Sequence, residues 1–365
     1  MLMINNDVVA QVLTMADCIA AQESAFRQLT SGAAAHRPRL DMYVPCERED
    51  GYYRWGAMEG TNDGVFAIRM KSDVITWPRD GEGRWTEDKY CVRPGTYCGL
   101  VMLFSAQNGE PLAIINDGYI QHMRVGGGAG IGVKHLSRET SRTVGMLGSG
   151  GMARTYLEAF RVVRDITRVK VFSPTPANRE RYAEEMSQKL DIEIEPVDSA
   201  RDALRGVDIV SSATDSMMAT FESDWIEPGM HITNLGPDEI SDDVMGHIDV
   251  KIRQGVPGVA IDEGPRLKSG IGHSPMAVLA GTETELERLP PQSRGRFQTR
   301  HPDYCDLIEG RTPGRQTDEQ VTFYQNVGNQ GLQFSSVGGL VYRKAKESGL
   351  GREIPTEWFL QDIRD

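Results

Sequence analysis

Paired cysteines are missing from this chain. Its 365 residues hold five cysteines, at positions 18, 46, 91, 98 and 305, odd in number, scattered, and without a C-x-x-C. That spacing excludes a disulfide framework or a zinc site, and a reducing, cytoplasmic setting is expected. Long apolar runs are missing too, since none approaches the roughly 18 residues that a membrane span needs. The first residues, Met1 to Gln11, carry Asp7 and no basic stretch, so no secretory leader is expected. Positive charge is not in excess: 40 Lys and Arg stand against 52 Asp and Glu, for a formal net charge of −12. Nucleic acid and anionic membrane are therefore not expected as partners. A small anionic substrate is still compatible, because a pocket can be basic inside an acidic protein. The chain has no G-x-S-x-G elbow and no H-x-x-x-H pair, so hydrolase and metal readings have little support.

What the chain does have is a glycine turn. Residues 143–153 read T-V-G-M-L-G-S-G-G-M-A, a short apolar run followed by G-x-G-x-x-A. In that pattern the first glycine, Gly148, lets the chain turn off a strand. The second, Gly150, lets a pyrophosphate approach backbone N–H groups, and the small Ala153 lets the next helix pack closely. An anion would sit on that helix's N-terminus, where unpaired N–H groups and the macrodipole favour it.

The periodicity on either side of residue 126 differs. Before it, residues 7–30 predict a helix. Strands are expected at 40–44, 52–58, 65–70 (ending on Lys71), 99–104 and 111–115, the last two joined by a hairpin turn. Segment 77–93 reads as a loop or insertion. Residues 116–136 carry Arg124 and six glycines and suggest no particular element. After the glycine turn, strands at 168–172, 192–197, 207–213 and 231–235 alternate with helices at 152–163 and 177–190. Ser199 caps a short helix between them. This alternation predicts an α/β chain with a Rossmann-type, doubly wound parallel sheet. Residues 262–300 suggest no element, and a helix-like stretch at 340–346 falls near the end.

Taken in order, several motifs resemble the ornithine cyclodeaminase/mu-crystallin family over residues 39–355. They are Pro38-Arg39, Met58 with Lys71, Asn108-Gly109-Glu110-Pro111-Leu112, Asp117-Gly118 with Arg124, and the glycine turn. After these come Ala213-Thr214, Asn234-Leu235-Gly236-Pro237-Asp238, Gly314-Arg315 and Tyr324 to Gly328. The chain departs from the family pattern at Glu59, at Val125-Gly126-Gly127, at Pro174 and at Pro237.

The resemblance implies two units. One is a dinucleotide-binding domain at 126–319; the other is a discontinuous α+β substrate-binding and dimerisation domain at 1–125 and 320–365. It also implies a homodimer. The implied chemistry is hydride transfer between a nicotinamide and the α-carbon of a small amino or imino acid. Arg39 and Arg124 would bind the substrate carboxylate, with Arg37 an alternative to Arg39. Lys71 would touch the carboxylate or carbonyl oxygen and help move a proton, and Asp238 would activate water or relay a proton. Asp238 could equally cap a helix. Cofactor contacts would come from Gly148, Gly150, Gly151, Met152, Ala153, Ser173, Thr175, Arg179, Ala213, Thr214 and Asn234.

No carboxylate follows the second strand of the alternating half, at Ser173-Pro174-Thr175, whereas hydroxyls and Arg179 do. An acid there would repel a 2′-phosphate, so NADP is favoured, with NAD as the alternative. The first expectation is an imine reductase or amino acid dehydrogenase. A cyclodeaminase releasing ammonia and a non-catalytic NADP-binding protein are the rivals.

Overall fold

The computed structural model describes residues 1–79, 83, 85–236, 238–256, 264, 266–292 and 301–363. Short apolar strands and amphipathic helices alternate from Thr143, as strands covered on both faces require. Strands Thr143–Leu147, Arg168–Phe172, Glu193–Pro196, Ile209–Ser212, His231–Asn234, Val250–Arg253 and Thr322–Gln325 form a seven-stranded sheet in which every pairing is parallel. Strand Thr143–Leu147 lies between Arg168–Phe172 and Ile209–Ser212, so the connections diverge from it in both directions. Such a switch point opens a crevice at the carboxyl ends of the strands.

The other sheet has eleven strands among the described residues and is mostly antiparallel. Its centre is the run Ala35–Pro45, Gly51–Asn62, Val65–Thr76, Cys98–Ser105 and Pro111–Asn116. Alternation sorts each strand into two faces. On Val65–Thr76 the inner residues Arg69, Lys71 and Asp73 are buried, while Ile68, Met70 and Val74 lie half-buried on the outer face. Helix Gln330–Glu347 covers the inner face. It lies so close that a Cβ on Gly331 would fall 1.8 Å from the Glu59 carbonyl oxygen. The expected doubly wound parallel sheet and an α+β part are both present.

Four local expectations differ from the structure. Residues 7–30 form two helices, Asn6–Val12 and Met15–Thr30, because Thr14 and Asp17 make a capping box that starts the second. Residues Asp117–Leu136, which suggested no element, are a 20-residue helix. Its glycines oppose helix formation individually, but tertiary contact overrides propensity. A Cβ on Gly126 would meet the Thr155 carbonyl oxygen at 2.5 Å, and one on Gly132 would strike the Tyr324 ring at 2.4 Å. The late helix begins at Gln330, ten residues before the stretch that suggested it.

The fourth difference concerns the expected domain edges. Strands Leu267–Ile271 and Ser274–Leu279 join the eleven-stranded sheet, where Ala277 to Leu279 pair in parallel with Asp41 to Tyr43. They are held there by an apolar cluster of Tyr43, Tyr52, Ile75, Trp77, Ile271 and Leu279. Strand Thr322–Gln325 belongs to the parallel sheet. Parts of the unassigned segments, residues 80–82, 84, 262–263, 265 and 293–300, lie outside the described residues, as does Pro237.

Candidate active site

The inner face of the eleven-stranded sheet meets the carboxyl ends of the parallel strands around a cavity of about 320 Å³. Six of the residues singled out from sequence line it: Arg39, Lys71, Arg124, Met152, Thr214 and Asn234. On the sheet side the cations are set by two-residue spacing. Lys71 Nζ lies 3.2 Å from Asp73, which also accepts from Arg54 Nε at 2.9 Å and Nη2 at 2.6 Å. Burial holds the Lys71 ammonium well below its ordinary range, and the nearby Arg54 guanidinium adds to this.

Arg39 is gripped by Asp41 through two hydrogen bonds of 2.9 and 2.5 Å. Arg37 is exposed and paired with Glu59. Two positions apart, these arginines would share a strand face, but a register shift between Arg37 and Leu40 separates them. Proline is tolerated at such a bulge, and Pro38 stands in it.

Arg124 is held differently. From the glycine-rich helix, its Nη1 donates to Gln333 Oε1 at 3.0 Å and its Nη2 to Gln121 Oε1 at 2.8 Å. The ring of Phe334 lies 5.0 Å away. Its hydrogen-bond partners are neutral amides, and no carboxylate pairs with it among the described residues. Burial, with repulsion from Arg69, lowers its pKa to about 9. A buried guanidinium paired only with amides offers charged N–H donors to an anion.

The glycine turn leads directly into Met152, which lines the same cavity. Gly148 has φ of +102°, and a Cβ there would lie 2.4 Å from the Ala213 carbonyl oxygen. Both constraints require glycine. Gly150 caps helix Gly151–Val163 without any side-chain hydrogen bond, and a Cβ on it would meet nothing within 4 Å. Backbone donors of the first turn are therefore open to an anion. Asn234 Oδ1 is buried without a hydrogen-bond partner. A dinucleotide fits these residues, with its phosphates at the turn and an acceptor ready for a donor group near Asn234.

The remaining sequence candidates lie behind or beyond the cavity. Ala153 is buried under Tyr182, whose hydroxyl donates to its carbonyl at 3.1 Å. Ser173 is buried and Thr175 precedes helix Pro176–Leu190. Arg179 is already engaged: Nη1 donates to the Ser173 carbonyl at 3.0 Å and Nη2 pairs with Asp198. Asp238 is half-buried and does not line the cavity.

Its neighbour Glu239 had no signal in the sequence. Fully buried, it accepts from the backbone N–H groups of Thr214, Leu235 and Gly236 at 2.7, 2.8 and 2.6 Å, and so ties two cofactor-side loops together. Burial raises its pKa against those bonds. Sequence reasoning also missed Glu87, Lys89 and His273, contributed to the cavity wall by the segment 77–93, read as a loop or insertion, and by 262–300, for which no element was expected.

The model of the ornithine cyclodeaminase/mu-crystallin family matches residues 1–349. The Delta(1)-pyrroline-2-carboxylate reductase of Bacillus cereus is 29% identical over 265 residues, 71% of this chain and 74% of that protein. An alanine dehydrogenase of Archaeoglobus fulgidus is 25% identical over 354 residues, covering 97% and 98% of the two chains. Among solved structures, Delta(1)-pyrroline-2-carboxylate reductase of Thermococcus litoralis, in complex with NADH and L-proline, aligns with a TM-score of 0.75. That alignment has 25% identity and covers 97% of this chain and 100% of the other. The ordered motifs, the switch-point crevice and the match along nearly the whole length agree: this chain belongs to the ornithine cyclodeaminase/mu-crystallin family.

Proposed function

We propose that this protein is an NAD(P)-dependent oxidoreductase that reduces the imine of a keto or cyclic imino acid, or oxidises the corresponding amino acid. The observation that carries this reading is Arg124, a buried cation with only amide partners, on the same cavity as Lys71 and the cofactor-side residues Met152, Thr214 and Asn234. The relatives' activities, reduction of pyrroline-2-carboxylate and oxidation of alanine, support it. The bound nicotinamide supplies or accepts the hydride. Arg124 holds the substrate carboxylate and so orients the α-carbon. Lys71 holds or moves the proton at the substrate nitrogen or carbonyl oxygen. The proton step is assigned to Lys71 rather than Asp238 because Lys71 lines the cavity.

Loss of NADH or NADPH absorbance with Delta(1)-pyrroline-2-carboxylate, or with a panel of 2-oxo acids and amines, tests the reading. Conversion of ornithine with NAD to proline and ammonia, without net NADH, would replace it with the cyclodeaminase.

NADH is the expected partner in that assay. Arg179, the candidate for a 2′-phosphate, is neutralised by Asp198, whose carboxylate is 95% exposed beside the second strand. NADH should bind at least about tenfold tighter than NADPH, and Asp198→Ala, by freeing Arg179, should narrow that ratio. Tighter binding of NADPH to the unaltered protein would refute the assignment.

The outer face of the eleven-stranded sheet presents Met42, Trp55, Met70, Met102 and Ile114 side by side. We infer that it pairs with a second copy, because an apolar face this broad is rarely left in water. Light scattering should give twice the 40.4 kDa chain mass, and Trp55→Glu should halve it. A monomeric unaltered protein would refute the dimer. No helix among the described residues is long and apolar enough to cross a membrane. All five cysteines are free, which supports a reducing, cytoplasmic setting.

A further inference from the structure

Segments 77–93 and 262–300 close on each other, and their polar groups face the cavity. Glu87 Oε1 lies 3.3 Å from His273 Nδ1 and 3.5 Å from Lys89 Nζ. Exposure differs sharply among the three. The Lys89 and His273 side chains are 34% and 23% exposed, whereas that of Glu87 is 1% exposed. Asp41 and Asp73 are likewise buried behind Arg39 and Lys71. Along this wall Asp41, Asp73 and Glu87 are almost wholly covered, and Lys89 and His273 carry most of the exposed polar surface.

Strand register orders the donors along one line. Arg69, which shares the Phe334 ring with Arg124, comes first on strand Val65–Thr76. Lys71 is next on the same face. Ile75, four positions further on that face, is paired with Lys89. At about 3.3 Å per residue, the Lys89 backbone stands about 13 Å beyond that of Lys71. Arg124 and Lys89 thus lie on opposite sides of Lys71, with the Lys89 side chain turned back toward it through Glu87.

We propose that Lys89 and His273 form a subsite for a second acidic group, so that the substrate is an imino or amino acid with a side-chain carboxylate. This rests on the oxidoreductase reading above. Arg124 takes the α-carboxylate, Lys71 faces the reacting carbon, and the distal carboxylate reaches the donors at the other end. Glu87 is a positioning residue that orients Lys89 and His273, with its own carboxylate almost fully covered. A distal ammonium, as in ornithine, would meet the like charge of the Lys89 ammonium there.

The test titrates the protein–NADH complex with L-aspartate, L-glutamate and L-2-aminoadipate, beside L-2-aminobutyrate, L-norvaline, L-norleucine and L-ornithine. An amino acid with NADH cannot react, so binding alone is read. At least one acidic amino acid should bind about tenfold or more tighter than its apolar counterpart and than ornithine. That ratio should fall to about threefold or less in both Lys89→Met and Lys89→Gln, with NADH binding as the check on folding. An apolar amino acid or ornithine binding as tightly as the acids would overturn the proposal. So would a ratio that survives in both variants. If NADH binds and no amino acid of any class does, the oxidoreductase reading fails with it. A preference for apolar side chains removes the subsite alone.

Discussion

Replacing Lys71 with methionine is expected to lower kcat for imine reduction by about 10²- to 10⁴-fold, the range for loss of a positioned proton donor. The same change is expected to raise Tm. Both effects come from one fact, an ammonium taken out of water. Its folded pKa lies well below the ordinary 10.5, chiefly through burial and then through Arg54, with Asp73 opposing. Below the lowered pKa the folded protein carries the full cost of the buried charge. As pH rises toward the unfolded value the folded state sheds that proton first, and the cost fades. The gain in Tm from Lys71→Met should therefore be largest at neutral pH and below, and vanish near about pH 10.

Catalysis follows the same titration. Amino acid oxidation, which needs a proton acceptor, should rise with pH through the lowered pKa. Imine reduction, which needs the donor, should fall through it. Lys71→Arg keeps the charge and cannot release the proton, so it should remove both pH limbs. An active Lys71→Met protein with an unchanged pH profile would end the assignment.

Arg124→Met is expected to raise KM for the substrate acid by about 10²- to 10³-fold, within the 2–5 kcal/mol lost when a buried charged hydrogen bond loses one member. Its kcat should fall much less, because a carboxylate clamp acts on ground and transition states alike. Lysine should not rescue it, since a point charge cannot reproduce the two parallel N–H bonds of a guanidinium. Arg124 titrates at about 9 and is held by neutral amides, so it too depresses the stability of the ligand-free protein. The methionine variant should melt higher than its parent without substrate, and the difference should shrink or reverse when substrate and NADH are present. An unchanged KM would mean that the carboxylate binds elsewhere, with Arg39 the next residue to test.

These two side chains were legible in the sequence for different reasons. Lys71 belongs to a strand whose alternation places Arg69, Lys71 and Asp73 on one face, a period that needs no tertiary knowledge. Gly148 was legible because a left-handed turn beside Ala213 admits only glycine. Arg124 stood out by motif, but its helix did not, because six glycines argue locally against the element that neighbouring backbones demand. The pair Arg37 and Arg39 could not be separated until a bulge assigned them to opposite faces. Glu239 was illegible in principle: its partners are backbone N–H groups from two loops, and backbone donors leave no mark in a sequence. Lys89 and His273 meet through Glu87 from segments far apart in the chain, and neither carries a spacing that points to the other.

That remoteness has a kinetic side. Strand Ser274–Leu279 pairs with Ala35–Pro45, for example Ala277 with Asp41. The dinucleotide crevice is built mainly from neighbours in the chain, whereas this part of the cavity wall waits on the closure of a very long loop. In the finished protein strand Ser274–Leu279 meets strand Ala35–Pro45 through three residue pairs, whereas Thr143–Leu147 is paired along its length on both sides. Hydrogen exchange should find strand Ser274–Leu279 giving up its amides before strand Thr143–Leu147, with the dinucleotide still in place.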